Sequence, residues 1–384
     1  MTEELKTMMT RQADELEPFS PDIDAITGAG RRRLRSRRFG AAGAGVAVVL
    51  AVGLGVPQLL GGGSPDDSRD TNVAVTESAP STWAQGSVIH VGDATVDVGH
   101  PVHSFVVTTA GFVSTDPDGK VWSTRDGRTE QVGEGTPEYG RQLVADGSWA
   151  GWIESQPGQP ARFSFMDQAG DEKVEYSDGV TPDSAGEDSG SQAELFALDG
   201  DGAYLRDSNG LVRLDLGTRT PETLLADPGI RDRIDDVEQG LVLHTFDAEA
   251  ERGPTVASEE VTEREPALAV DGGDLSPDKR FVMSENSADS SDDFTLIEVG
   301  TGADLTPPAK GDYAFFTGYA WIDDSSYMAF GIKELPQGDG TGKAAPPMPT
   351  DLLRCDAAAR TCDVVQPGLD FSKVELPVGE NIGD

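Results

Sequence analysis

The sequence predicts an all-β fold: a β-propeller of six blades, each a four-stranded antiparallel meander. Two observations carry that expectation. Tight Asp-Gly and Asn-Gly turns recur about every eight residues, and a unit of roughly 40 residues recurs around them. A third places the propeller in the chain: a run of arginines leads directly into a long uncharged stretch near the N-terminus.

Residues 1–38 form a short tail with seven acidic and eight basic residues. Leu5, Met8, Met9 and Leu16 fit an apolar stripe on a helix, and Ser20-Pro21 suits a helix start. The expectation is a short helical or disordered segment whose job is topology. The alternative is a tail that binds a cytoplasmic regulator such as a sigma factor. A zinc-binding version of that alternative is excluded, because the tail holds neither histidine nor cysteine.

Arg31, Arg32, Arg33, Arg35, Arg37 and Arg38 end the tail, and residues 39–60 carry no charge. A stretch of 22 residues is long enough for one helix across a ~30 Å hydrocarbon core. Arginines resist transfer, so the tail is expected in the cytoplasm and the C-terminal domain outside the cell, on a single-pass protein of the cell membrane. A cleaved secretory signal fits less well, since 38 residues precede the apolar run and no A-x-A site follows it. Residues 61–86, rich in Gly, Ser, Asp, Thr and Pro, read as a flexible linker. Residues 87–384 read as the extracytoplasmic propeller.

The chain has 68 acidic and 30 basic residues, a net charge of −38. Beyond residue 60 the count is 61 acidic against 22 basic. Nucleic acid and anionic membrane surfaces are thereby disfavoured as outer partners, because both would be repelled. The excess serves solubility, or else offers a surface to cations or a basic partner.

The repeat is clearest in two places. Residues 104–127 place turns at Gly111, Gly119 and Gly127, and residues 193–217 place them at Gly202, Gly210 and Gly217. The first turn of the unit recurs at Gly111, Gly147, Gly202, Gly240, Lys279 and Ser325, at intervals of 36, 55, 38, 39 and 46 residues. One small twisted sheet cannot bury both faces alone; neighbours in a closed ring bury both. The fourth unit is the weakest, since residues 248–270 are charged and alternate poorly. Residues 87–99 are expected to add a strand to the last blade.

Cys355 and Cys362 flank a small polar turn between two short apolar arms, so a hairpin sets them opposite each other. A structural disulfide is the expected state in an oxidising compartment. Two free thiols or a metal site are the alternatives, and the latter lacks nearby histidines.

No catalytic motif stands out: there is no G-x-S-x-G, H-E-x-x-H, P-loop or G-x-G-x-x-G opening a helix. Catalytic residues, cofactor and resident metal are all expected to be none. The histidines are His90, His100, His103 and His244. His100 and His103, with Asp93 or Asp97, make a poor metal site, because Pro101 intervenes and residues three apart in a strand face opposite sides. Asp116/Asp118, Asp199/Asp201 and Asp289/Asp292/Asp293 raise calcium, yet none has the full spacing of a calcium loop. The same residues are ordinary in β-turns. Trp122, Trp149, Trp152 and Trp321 sit in strand-like arms and read as packing between blades, with a glycan-lining role as the alternative.

The acidic tail, the Arg-rich run 31–38, the stretch 39–60, the Asp-Gly turns and the late Cys355–Cys362 hairpin together resemble single-pass, membrane-anchored actinobacterial proteins with a TolB-like six-bladed propeller outside the cell. Arginine outnumbers lysine 22 to 8, in keeping with a GC-rich bacterial source. The resemblance implies binding rather than catalysis. The expected function is therefore a non-enzymatic propeller that binds an envelope protein or polymer, with residues 178–193 and 333–350 as contact loops. A transmembrane sensor acting through its tail and a propeller-scaffold hydrolase or lyase are the alternatives.

Overall fold

The computed structural model describes residues 81–135, 143–154, 160–177, 193–226, 232–246, 255–286, 293–335 and 348–379. The expected tail, the six arginines, the stretch 39–60 and most of the expected linker lie outside these residues. Among the described residues, no helix is long and apolar enough to cross a membrane.

The described chain is all-β and forms seven antiparallel sheets. Strands are lettered A to D from the axis outwards. Blade 1 holds β1 (Thr82–Gln85), β2 (Val88–Val91) and β3 (Ala94–Asp97). Blade 2 holds β4 (Ser104–Thr108), β5 (Gly111–Thr115), β6 (Lys120–Arg125) and β7 (Arg128–Glu134). Blade 3 holds β8 (Leu143–Asp146), β9 (Trp149–Glu154), β10 (Arg162–Asp167) and β11 (Glu172–Tyr176). Blade 4 holds β12 (Glu194–Asp199), β13 (Gly202–Asp207), β14 (Gly210–Asp215) and β15 (Thr220–Ala226). Blade 5 holds β16 (Arg233–Glu238), β17 (Leu241–Thr245), β18 (Thr255–Ser258) and β19 (Ala267–Leu268). Blade 6 holds β20 (Asp274–Leu275), β21 (Phe281–Asn286), β22 (Asp293–Glu298) and β23 (Ala303–Asp304). Blade 7 holds β24 (Phe315–Trp321), β25 (Ser326–Ile332), β26 (Pro349–Asp356) and β27 (Thr361–Asp370).

Burial follows position in the blade. The second strands β5 and β13 are buried at every residue, because each lies between two neighbouring blades. The outermost strands β7 and β15 are exposed along most of their length and carry the polar residues. Seven apolar clusters fill the seven seams between blades. Trp152 with Leu143 and Val106 packs blades 2 and 3, and Phe163 and Phe165 with Leu195 and Leu205 pack blades 3 and 4. Trp321, Tyr327 and Phe294 pack blades 6 and 7. The seventh seam joins blade 7 to blade 1 through Trp83, Tyr319, Phe330, Val374, Leu376 and Val378. Each such large side chain contributes about 1.5–3 kcal/mol on burial.

The ring has seven blades, which corrects the six expected from the repeat. All six repeat markers fall in a first turn or, for Gly111 and Gly202, on the strand residue that directly follows it, but those turns belong to blades 2 to 7. Blade 1 has no first turn, because its A strand is not continuous with its B strand. That position is taken by the C-terminal segment: Ala84 and Glu375 form an antiparallel bridge. Residues 87–99 therefore do not extend the last blade; they supply strands of a blade of their own. The sheet also begins at Thr82, inside the stretch assigned to the linker. Counting turns detects blades built from one continuous segment and misses one assembled from both ends.

Past blade 1 the C-terminal segment crosses to blades 2 and 3. Gly379 N–H donates to Phe105 O (3.0 Å), and Leu143 N–H donates to Gly379 O (2.9 Å). Gly379 has φ +73°, and a Cβ there would stand 1.9 Å from Leu143 O. Cys355 and Cys362 are register partners on β26 and β27 and form a disulfide with an S–S distance of 2.02 Å.

Candidate functional site

A ring of meanders sends every A–B and C–D turn to one end and every B–C and D–A connection to the other. The two ends differ. The A–B turns of blades 2 to 5 are two residues long, at 109–110, 147–148, 200–201 and 239–240. They bond to one another across the seams. Thr109 N–H donates to Gly147 O (2.8 Å), and Gly200 N–H donates to Asp146 Oδ2 (2.7 Å). Gln239 and Gly240 N–H donate to Asp199 (3.1 and 2.8 Å), and Gln239 Nε2 donates to Pro277 O (2.7 Å). This end spends its polar groups on itself.

The opposite end carries the long connections. The D–A connection from blade 3 to blade 4 spans 177–193, and the B–C connection of blade 7 spans 333–348. Both expected contact loops, 178–193 and 333–350, thus belong to this end by topology. Residues 178–192 and 336–347 lie outside the described residues.

A groove of about 500 Å³ opens at the same end between blades 2 and 3. One wall is the end of β7, including Gly133, Glu134 and Gly135; the other carries Glu154, Arg162 and Glu175. These side chains meet because each sits at the B–C or D–A end of its strand. Glu154 is held in place: its Oε1 accepts from Trp152 Nε1 and from Ser164 Oγ, both at 3.1 Å. Arg162 spans the groove floor, bonded to Glu154 Oε2 and, at 3.3 Å, to Glu175 Oε2. The Glu154 bond comes first among the interactions that hold the Arg162 guanidinium protonated more firmly than usual. Gly133 is required by the wall, since a Cβ there would stand 2.6 Å from Trp152 Cζ2. With three carboxylates and one guanidinium, the groove suits a basic group better than an acidic one.

Further charged pairs ring this end. Arg233 Nε bonds Asp235 Oδ1 (2.5 Å), and its Nη2 faces Asp271 at 3.5 Å. Lys333 Nζ pairs with Asp351 Oδ2 at 2.8 Å.

The candidate residues from the sequence are dispersed. His100 is buried, with Nδ1 3.0 Å from Val98 O, Nε2 3.0 Å from Ser114 Oγ, and its ring stacked on Trp122. A serine–histidine bond invites a catalytic reading, but Ser114 has 0% exposure and no substrate can reach it. Burial lowers the His100 pKa, as it does that of His244. His244 Nε2 is 2.9 Å from Glu263 O, and His90 stacks on Trp83. Asp116 is a turn cap: its Oδ1 accepts from Asp118 and Lys120 N–H, and its Oδ2 from Trp122 Nε1. Asp199 serves the A–B relay, and Asp289 and Asp292 lie outside the described residues. Among the described residues, no group of three or more His, Cys, Asp or Glu side chains is placed to hold a metal ion. Trp152 and Trp321 are buried in seams, and Trp149 packs against the blade 3–4 core.

Glu134, Glu154, Arg162 and Glu175 carried no sequence signal. They are spread over four strands and a stretch of some 40 residues, and nothing distinguishes them from the other charged residues until the strands align.

No protein-family model and no curated protein matches the chain. Among solved structures the chain is similar to TolB from Acinetobacter baumannii, at 13% identity and a TM-score of 0.38. That match covers 77% of this chain and 65% of TolB, so the chain spans slightly under two thirds of that protein's length. It is also similar to a putative TolB from Agrobacterium tumefaciens, at 11% identity, a TM-score of 0.33 and coverage of 77% and 92%. The tricorn protease matches at 13% identity and a TM-score of 0.39, over 76% of this chain and 31% of the protease. Likenesses this distant carry no argument about activity. The propeller stands on this chain's own strand order and seams.

Proposed function

We propose that this chain is a non-enzymatic binding propeller that holds a protein or polymer of the bacterial cell envelope at its B–C/D–A end. The observation that carries this reading is the asymmetry of the two ends. One end closes its short turns against each other through Asp146, Asp199 and Gln239. The other bears the connections 177–193 and 333–348 and the groove between blades 2 and 3. The excess of acid over base favours a basic contact surface on the partner. In this reading the uncharged stretch 39–60 holds the domain at the membrane, and Arg31 to Arg38 keep the tail in the cytoplasm.

The test is photo-crosslinking in cells with the full chain. A crosslinking residue at Glu134 or Lys333 should give a discrete adduct, whereas one at Asp201, on the A–B end, should not. Adducts confined to Asp201 would overturn the reading, as would turnover of cell-wall glycans or esters by the purified protein. Protease added to intact cells should remove the propeller; its full protection would overturn the outward placement.

A further inference from the structure

The groove between blades 2 and 3 already holds a guanidinium, its own. Arg162, on β10, bonds Glu154 Oε2 and, at 3.3 Å, Glu175 Oε2. The two acids are held unequally. Glu154 is 17% exposed, and Trp152 Nε1 and Ser164 Oγ both donate to its Oε1 at 3.1 Å. Trp152 and Ser164 are themselves buried, so this carboxylate is fixed before anything binds, with Oε2 left to the arginine. Arg162 is 47% exposed and Glu175 61%, so the guanidinium rests on the fixed acid from the solvent side.

Two further features distinguish this place from a surface ion pair. Arg162 lines a groove of about 500 Å³, a volume in the range of ligand pockets. The side chain of Glu134, exposed on the β7 wall of the same groove, has no partner among the described residues. Lys173, the other cation at this seam, donates to the backbone of that wall at Val132 O (3.4 Å) and pairs with none of the three acids.

We propose that Arg162 is a resident stand-in: an arginine of a protein partner enters the groove, takes its place on Glu154 Oε2 and turns Arg162 out to solvent. This rests on the reading that the B–C/D–A end is the contact end, and it names the side chain received there. Exposed ion pairs hold weakly, so turning Arg162 out costs little. The entering arginine gains what Arg162 lacks, the unpaired Glu134 on the facing wall. A guanidinium suits the groove better than an ammonium, because its planar fork bridges two carboxylates, as Arg162 bridges Glu154 and Glu175.

Titration calorimetry on the purified full chain tests the exchange, with end-blocked triarginine as the probe and trilysine and triglutamate for comparison. Arg162→Gln vacates the place and should bind triarginine at least about threefold more tightly than the unaltered protein. Arg128→Gln removes the same charge at the far end of β7 and should change affinity by less. Glu154→Gln, which keeps an oxygen for Trp152 and Ser164, should weaken binding about tenfold. Should that variant fail to fold, Glu134→Gln supplies the test, with a loss of at least about threefold. The proposal is overturned by Arg162→Gln binding no more tightly than Arg128→Gln, by undiminished binding in the glutamate variant, or by trilysine binding as tightly as triarginine. Triglutamate binding that Arg162→Gln abolishes also overturns it, since the groove would then receive an acid. Failure of the wider reading looks different. Crosslinks in cells confined to Asp201 sink that reading, whereas crosslinks at Glu134 with triarginine binding that ignores Arg162 sink the exchange alone.

Discussion

Ala84 and Glu375, from opposite ends of the described chain, exchange both backbone hydrogen bonds: Ala84 N–H to Glu375 O at 2.8 Å and Glu375 N–H to Ala84 O at 2.9 Å. This pair closes the ring, and the residues that follow it, up to Gly379, carry the closure on to blades 2 and 3. Gly379→Ala puts a Cβ against Leu143 O at a left-handed φ. The expected loss is about 2–3 kcal/mol in urea unfolding. Hydrogen exchange should report faster opening of β1 to β3 in that variant. Unchanged stability would mean that the crossing segment contributes little to closure.

The apolar seam between blades 2 and 3 also holds one buried amide. Gln168, 1% exposed, sits in the C–D turn of blade 3 and reaches into blade 2. Its Nε2 donates to Phe112 O (3.0 Å) and Ser123 Oγ (2.9 Å), and its Oε1 accepts from Thr108 Oγ1. Gln168→Leu keeps much of the volume and strands those partners. A destabilisation of about 2–4 kcal/mol is expected, larger than for a typical surface change. Differential scanning calorimetry decides this.

Removal of the Cys355–Cys362 bond should be mild. The sequence separation is 7, a short loop, and its closure entropy corresponds to about 2 kcal/mol. Reduction should lower the melting temperature by a few degrees and leave the propeller assembled, because Cys355 also packs in the blade 6–7 core. Loss of cooperative melting on reduction would show the hairpin to be more central than this.

Acid should weaken blade 7 through Asp351. Burial alone would raise its carboxyl, but the bonds from Lys333 and from Gly368 N–H outweigh that and hold it below the usual range. A depressed folded value means stabilisation that is present above about pH 4 and lost as the pH falls through the folded value. Asp351→Asn should be less stable than the unaltered protein at neutral pH and should converge with it in acid. Melting profiles from about pH 2 to pH 7 measure this.

The sequence carried the all-β class, the meander and the first turns of blades 2 to 7, because Asp-Gly pairs impose turn geometry locally. Pairing of Cys355 with Cys362 was legible for the same reason. Blade 1 was not, since its inner strand comes from Glu375 and no local pattern near Thr82 announces that partner. The groove was also silent: Glu134 lines one groove with Arg162 and Glu175 only once blades 2 and 3 abut. Asp146 had a signal, an Asp before a turn glycine, but its hold on Gly200 depends on how neighbouring blades abut. Non-local geometry, not propensity, accounts for each of these.

The shared construction of blade 1 has a consequence in time. A ribosome adding ~5–20 residues per second makes β1 to β3 roughly 15–60 s before it reaches Glu375. Throughout that interval Ile89 and Val91 belong to a sheet without its innermost strand. A transcript cut short, or a stalled ribosome, leaves the ring permanently open with an apolar seam showing. Completion of synthesis is thereby written into the fold itself, and a truncated copy presents to the cell's proteases a surface that the finished one hides.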